Sequence, residues 1–255
     1  MIHLITFCDS QMSIAAQMCV RSALQHGADV ATCERATNWL SLTVQAQRGL
    51  GYWAWKPQII DEMMTKYVKN GDTLIYSDAG VEFVDNLRYI VDRMDQDIFL
   101  FGNHWPHHSW CKGDIIDEIM RAPHTEWTDG APWSIFGKQC QASVIFFRVS
   151  DWSRKFVKEW LSWCQFEGGR LVDDSPSRAP NHPEFQENRH DQAILTTMAY
   201  RDGIKLHWWP ARYDGGFDYQ KDPEYQTDDY PILFRHHRLR NHEFGHHLTE
   251  RAVTA

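Results

Sequence analysis

The stretch DTLIYSDAG, residues 72–80, decides how the rest of the chain is read. Leu74, Ile75 and Tyr76 make a short apolar, β-prone run of the kind that becomes a buried strand. Asp78 follows at its end, and Ala79-Gly80 lets the backbone turn tightly. In parallel sheets, ligands bind outside the carboxyl ends of the strands. A carboxylate emerging there can coordinate a hard divalent cation, which in turn holds a diphosphate. The bland alternative is an aspartate that only shapes a turn.

Working outward, strand-like and helix-like segments alternate. IHLITF (2–7) reads as a buried strand, and QMSIAAQMCVRSALQHG (11–27) as a helix stopped by Gly27. ADVATCE (28–34) follows as a strand. KPQIIDEMMTKYVKNG (56–71) is expected to be a helix, with Pro57 at its first position and Asn-Gly at its end. DNLRYIVDRMDQ (85–96) reads as a helix and DIFLFGN (97–103) as a strand. CKGDIIDEIMRA (111–122) is a helix, QASVIFFRVS (141–150) a strand, and SDWSRKFVKEWLSWCQF (150–166) an amphipathic helix capped by Ser150 or Asp151. A polar loop covers 168–188. HDQAILTTMAYRDG (190–203) is a helix and IKLHWWP (204–210) a strand; from Ala211 the chain reads as irregular until PILFRHHR (231–238). This alternation predicts an α/β fold of three layers, Rossmann-like, around a mostly parallel central sheet.

Bulk properties narrow the function. With 43% hydrophobic residues the chain of 255 residues can bury a sizeable core, which argues against disorder. A net charge of −8 disfavours broad binding to nucleic acid or anionic membranes, although FRHHRLR (234–240) concentrates positive charge locally. The six cysteines are scattered with no C-x-x-C pair, so they read as reduced core residues. No run is long enough for a membrane helix. MIHLITFCDS reads as a first strand, not a signal peptide, so a cytoplasmic protein is expected.

Four segments in order carry a resemblance: GYWAWKPQII (51–60), GDTLIYSDAGVEF (71–83), QASVIFFR (141–148) and RHDQAILT (189–196). The chain resembles GT-A fold nucleotide-sugar glycosyltransferases of the bacterial or phage capsule- and lipopolysaccharide-type over most of residues 1–240. The resemblance implies one domain over 1–255: a donor-binding part to about 105, an acceptor side from about 106 to 230, and a His/Arg-rich tail, 231–255. It implies transfer of a sugar from a UDP- or GDP-sugar to a hydroxyl of a glycan or of a modified base in duplex DNA, with Mn2+ or Mg2+. A phage member would work in the host cytoplasm.

Site residues follow by position. The family's D-x-D matches Tyr76-Ser77-Asp78, so the first carboxylate is absent and Asp78 alone carries over as a metal ligand. A C-terminal histidine often returns to the metal or diphosphate in such enzymes, which points to His236 and His237, while Arg238 pairs with phosphate oxygens. Thr6 and Phe7 end the first strand, where this fold meets the nucleotide. Lys56, at a helix N-terminus, can neutralise a phosphate. Asp191 and Gln192 lie on the acceptor side, Asp191 acting as base or as counter-charge to the reacting sugar; an aspartate at a helix start can also be only a cap.

Two other readings compete. The first-carboxylate gap also suits a non-catalytic nucleotide-sugar or carbohydrate-binding protein on this fold. His242-Glu243-Phe244-Gly245-His246 matches the H-E-x-x-H of zinc proteases. That chemistry needs a stable helix and a third, usually distant ligand, whereas Gly245 weakens the helix and Glu250 is the one acid that follows.

Overall fold

In the computed structural model the described residues are 1–35, 44, 48–121, 137–214, 217–218 and 220–244. The chain runs β1 (Ile2–Cys8), α1 (Ser13–Gln25), β2 (Val30–Arg35), the single turn α2 (Gly49–Tyr52), α3 (Trp55–Lys66), β3 (Thr73–Asp78) and β4 (Val81–Phe83). It continues through α4 (Arg88–Val91), β5 (Ile98–Pro106), α5 (Gly113–Arg121), β6 (Lys138–Arg148), α6 (Asp151–Gln165) and α7 (His190–Arg201). The last elements are β7 (Leu206–Trp208), β8 (Ala211–Tyr213), β9 (Phe217–Asp218) and β10 (Phe234–His236).

Six strands form the main sheet in the order β2-β1-β3-β6-β5-β7. β1 pairs with β2 and β3, and β5 with β7, in parallel; β6 alone runs antiparallel, between β3 and β5. The α/β fold with a mostly parallel central sheet is therefore the observed one. Period-2 alternation sends Leu74 and Tyr76 into one apolar cluster and Ile75 into the other. The first cluster is closed by α3, α5, α6 and α7, with Trp160 of α6 fully buried. The second is closed by α1, α4 and a small sheet of order β4-β10-β8-β9. Full burial of side chains such as Leu74 or Ile75 contributes about 1.5–3 kcal/mol each.

Local chemistry explains the element ends. Ser150 caps α6: its hydroxyl accepts from Ser153 N at 3.1 Å, and Ser153 Oγ accepts from Ser150 N at 2.9 Å. Gly27 and Gly203 follow α1 and α7 with φ of +104° and +66°. The structure also departs from expectation. α3 stops at Lys66, because Val68 turns back under the core while Tyr67 stays exposed. The helix expected over 85–96 is a single turn, Arg88–Val91, which suffices to bury Leu87 and Ile90. The segment read as irregular from Ala211 supplies two strands of the small sheet, β8 and β9; they span three and two residues, too short to show a period. No helix among the described residues is long and apolar enough to cross a membrane.

Candidate active site

At the carboxyl end of the main sheet, three charged side chains meet. Lys56 reaches in from the first turn of α3 and Asp191 from the first turn of α7, while Asp78 ends β3. Lys56 Nζ lies 3.1 Å from Asp191 Oδ2 and 3.5 Å from Asp78 Oδ1, and donates to Ala142 O at 2.9 Å. It also sits over the Tyr76 ring, 5.2 Å from its centroid. Because side chains two apart on a strand share a face, Tyr76 stands beside Asp78, and its hydroxyl donates to Asp78 Oδ1 at 2.6 Å. Lys56 and Asp191 are buried; the Asp78 side chain is 35% exposed, so it is the member that opens to solvent.

Burial pushes the Asp191 carboxyl up to about 6, against the opposing pull of the Lys56 ammonium, and Asp78 adds to the rise. Burial alone would depress Lys56, but the two carboxylates outweigh it and hold the ammonium above its ordinary value. Tyr76 is pushed well above the usual phenol range by burial and by Asp78. The helix start is fixed from behind: Trp160 Nε1 donates to Asp191 O at 3.1 Å. Gln192 ties the same turn to β6, its Nε2 donating to Gln139 Oε1 at 2.6 Å.

Backbone strain gathers around these three residues. Leu50, Tyr52, Trp53, His190 and Arg238 all have positive φ, between 52° and 59°. The first three lead into α3, His190 precedes Asp191, and non-glycine residues held in that region cost on the order of 1–3 kcal/mol each. His190 is locked by Nδ1 against Val172 O at 2.6 Å, and its ring packs 5.2 Å from Tyr52 and 5.3 Å from Trp53.

The tail lies against the turn after Asp78. β10 pairs with β4, and Gly80 O accepts from both His237 N and Arg238 N. A Cβ at Gly80 would stand 2.9 Å from Arg238 Cα, so Gly80→Ala should push this segment off the turn. We expect a loss of about 1–3 kcal/mol, read as a lower urea midpoint. His236 is buried, with Nδ1 lacking a partner among the described residues; burial and Arg238 depress its pKa to about 4, and Asp78 opposes that shift. Arg238 is exposed. His237 faces the tail instead: its Nδ1 accepts from Leu239 N and its ring meets Phe244 at 5.7 Å.

The other expected site residues support this centre from beneath. Thr6 and Ser77 are fully buried, and Phe7 packs on Trp55 at 4.1 Å between centroids. Of the residues assigned to the donor, Asp78 and Arg238 reach the surface. Asp78, His236 and His237 do not converge as three ligands of one cation. Among the described residues, His108, His182 and Glu184 each place one ligand atom within 4.8 Å of the others. Arg235 pairs with Asp214 and Glu82, whereas Arg238 and Arg240 of the basic segment are exposed. The second histidine of the protease-like motif, His246, lies outside the described residues. Asn241 to Glu243 form a turn, and Glu243 Oε2 accepts from Arg240 N.

One cluster went unassigned from sequence. Arg189 lies over both Trp105 and Trp110, 4.5 and 4.4 Å from their centroids, and the two indoles stack at 4.7 Å. The signal was the His- and Trp-rich stretch 103–114, whose partner loop is too distant in sequence to see.

The buried titrations set a pH dependence. His236, depressed to about 4, and His107, depressed to about 3 by burial, take up protons in the unfolded chain first, so stability falls as pH drops below about 6.5. Asp191, raised to about 6, acts in the opposite sense, gaining stability as pH falls from about 6. His190, also depressed by burial, and Asp61, also raised by it, act in opposite senses, so the sense set by the two histidines stands and stability should fall between about pH 6 and pH 4. Urea midpoints across that range check it.

A mostly parallel α/β sheet thus carries a strand-end carboxylate beside a buried lysine. Solved structures to which the chain is similar include three glycosyltransferases. The galactosyltransferase LgtC, in complex with donor and acceptor sugar analogues, matches at 13% identity over 92% of this chain and 87% of that one, with a TM-score of 0.48. Mouse xyloside xylosyltransferase 1, in its apo form, matches at 12% over 92% and 97%, with 0.47. The apo bifunctional glycosyltransferase WbbM matches at 10% and TM-score 0.51 over 92% of this chain, which spans 45% of that one. At these identities the likeness is one of fold. No family model and no curated protein matches the sequence.

Proposed function

We propose that this chain is a glycosyltransferase that moves a sugar from a nucleoside diphosphate donor to a hydroxyl acceptor. The observation that carries the reading is Asp191: a buried carboxylate with a pKa of about 6, held by Lys56 beside Asp78 at the ligand-binding edge of a GT-A-type sheet. Its ionised form serves either stereochemical course, as base for the acceptor hydroxyl on inversion or as counter-charge to an oxocarbenium-like sugar on retention. Asp78 and exposed Arg238 meet the diphosphate from the open side, Arg238 pairing with phosphate oxygens. Asp78 has one carboxylate oxygen clear of Tyr76 and Lys56, and with His236 Nδ1 it would offer an oxygen and an imidazole donor to a divalent cation, Mn2+ or Mg2+. Such a cation supplies positive charge to the leaving diphosphate.

A thermal-shift screen of UDP- and GDP-sugars, with and without Mn2+, tests this. A donor at 100 times its Kd stabilises by about 2.7 kcal/mol, which moves Tm by roughly 5–10 °C. Asp78→Asn should erase the Mn2+-dependent part of the shift. If no donor shifts Tm or is hydrolysed, the transferase reading fails; a shift without turnover favours a binding protein.

A further inference from the structure

We propose that His108, His182 and Glu184 form a metal site, suited to Zn2+, that shares no residue with the Asp78–Lys56–Asp191 centre. It would clamp the long loop before α7 onto the turn after β5.

One ligand atom from each of the three residues falls within 4.8 Å of the others. His108 Nε2 stands 2.9 Å from Glu184 Oε2, and the His108 and His182 rings are 4.2 Å apart between centroids. Two ligands of a tetrahedral Zn2+, each about 2.0 Å from the ion, stand about 3.3 Å apart. The His108–Glu184 spacing is slightly shorter than that value and no ligand-atom spacing of the set exceeds 4.8 Å, so side-chain adjustment alone admits the ion. The Glu184 amide donates to His182 Nδ1 at 3.2 Å, a long bond that the tautomer ligating through Nε2 gives up.

The ligand chemistry selects the ion. Imidazole suits zinc, copper, iron and nickel, whereas magnesium, calcium and manganese prefer oxygen. Two imidazoles and one carboxylate leave a fourth position open to water. His182 also lines a cavity of about 400 Å³ with Asp117 and Asn181, which gives an ion a way in.

The framework is already built around these ligands. His108 is buried on a turn whose neighbour His107 holds Thr197 Oγ1 through Nε2 at 2.9 Å. The loop is stitched to the same turn, with Gln186 N donating to Ser109 O at 2.8 Å and Arg189 N to Trp110 O at 3.1 Å. His190 and Asp191 come next. A metal here would therefore order the segment that delivers Asp191 to α7, independently of what the chain transfers.

The test is calorimetric titration of chelator-treated protein with Zn2+, in the native chain and in Asp78→Asn. The expected result is one site per chain that survives Asp78→Asn, and a Tm that rises with the metal. His182→Ala and Glu184→Gln should each weaken it by more than about 100-fold, beyond the 10- to 100-fold that loss of an outer-shell partner costs. Both positions are outside the core, so these variants keep the fold, which far-UV circular dichroism verifies. Co2+ in place of Zn2+ should give the visible bands of a four-coordinate ion. Binding unaffected by either substitution, binding abolished by Asp78→Asn, or no binding at all would each overturn the proposal.

Discussion

Asp191→Asn should lower kcat by about 10²- to 10⁴-fold, the usual contribution of a positioned acid–base group, while donor affinity changes little. Two features of the geometry support the split. Asp191 is buried against Lys56 and Trp160 rather than at the open side where Asp78 and Arg238 lie, so the donor phosphates do not depend on it. The amide resembles the protonated acid in shape, so the chain should stay folded, but it leaves the buried Lys56 ammonium with Asp78 alone, so the urea midpoint should fall below that of the native protein. The pH profile carries the stronger evidence. In the native enzyme the ionised carboxylate is lost as pH falls through about 6, so kcat/KM should drop with unit slope below that value. In the variant the residual rate should be flat there. Retention of more than about a tenth of native kcat, or an unchanged acid limb, would place the catalytic group elsewhere.

What could be read from sequence, and what could not, follows from the range of the interactions. β3 and β6 carry β-prone apolar runs, and Asp78 and Asp191 stand at element boundaries, so each is legible from a few neighbours. The reversal of β6 within the sheet leaves no local mark, because an apolar strand looks the same in either direction. Lys56 is the instructive case. From sequence it is a cation at a helix N-terminus, fit to meet phosphate. In the fold it is covered by β3, β6 and α7, and its charge is already shared by two carboxylates. Only tertiary contact could reveal that. The same holds for His108 and Glu184, which are 76 positions apart.

The largest stability effect is expected at Lys56 itself. Lys56→Met removes the one cation that faces both Asp78 and Asp191 among the described residues, leaving a buried carboxylate beside a second one. Breaking a buried pair from one side costs about 3–5 kcal/mol, far more than most single substitutions. The Asp191 carboxyl, already at about 6, loses the main influence that lowers it, so the acid limb of kcat/KM should move upward, and activity lost at neutral pH should partly return on the alkaline side. In Lys56→Met/Asp191→Asn no buried charge is left without a counter-ion at that spot, so part of the lost stability should return; a coupling of about 0.5–3 kcal/mol in the double-mutant cycle measures it. The pH profile also separates two roles for the lysine. If Lys56 met the donor phosphate, its loss would raise the donor KM and leave the acid limb near pH 6. The burial of its ammonium against Ala142 O and the two carboxylates favours the other outcome, a shifted limb with donor affinity largely kept.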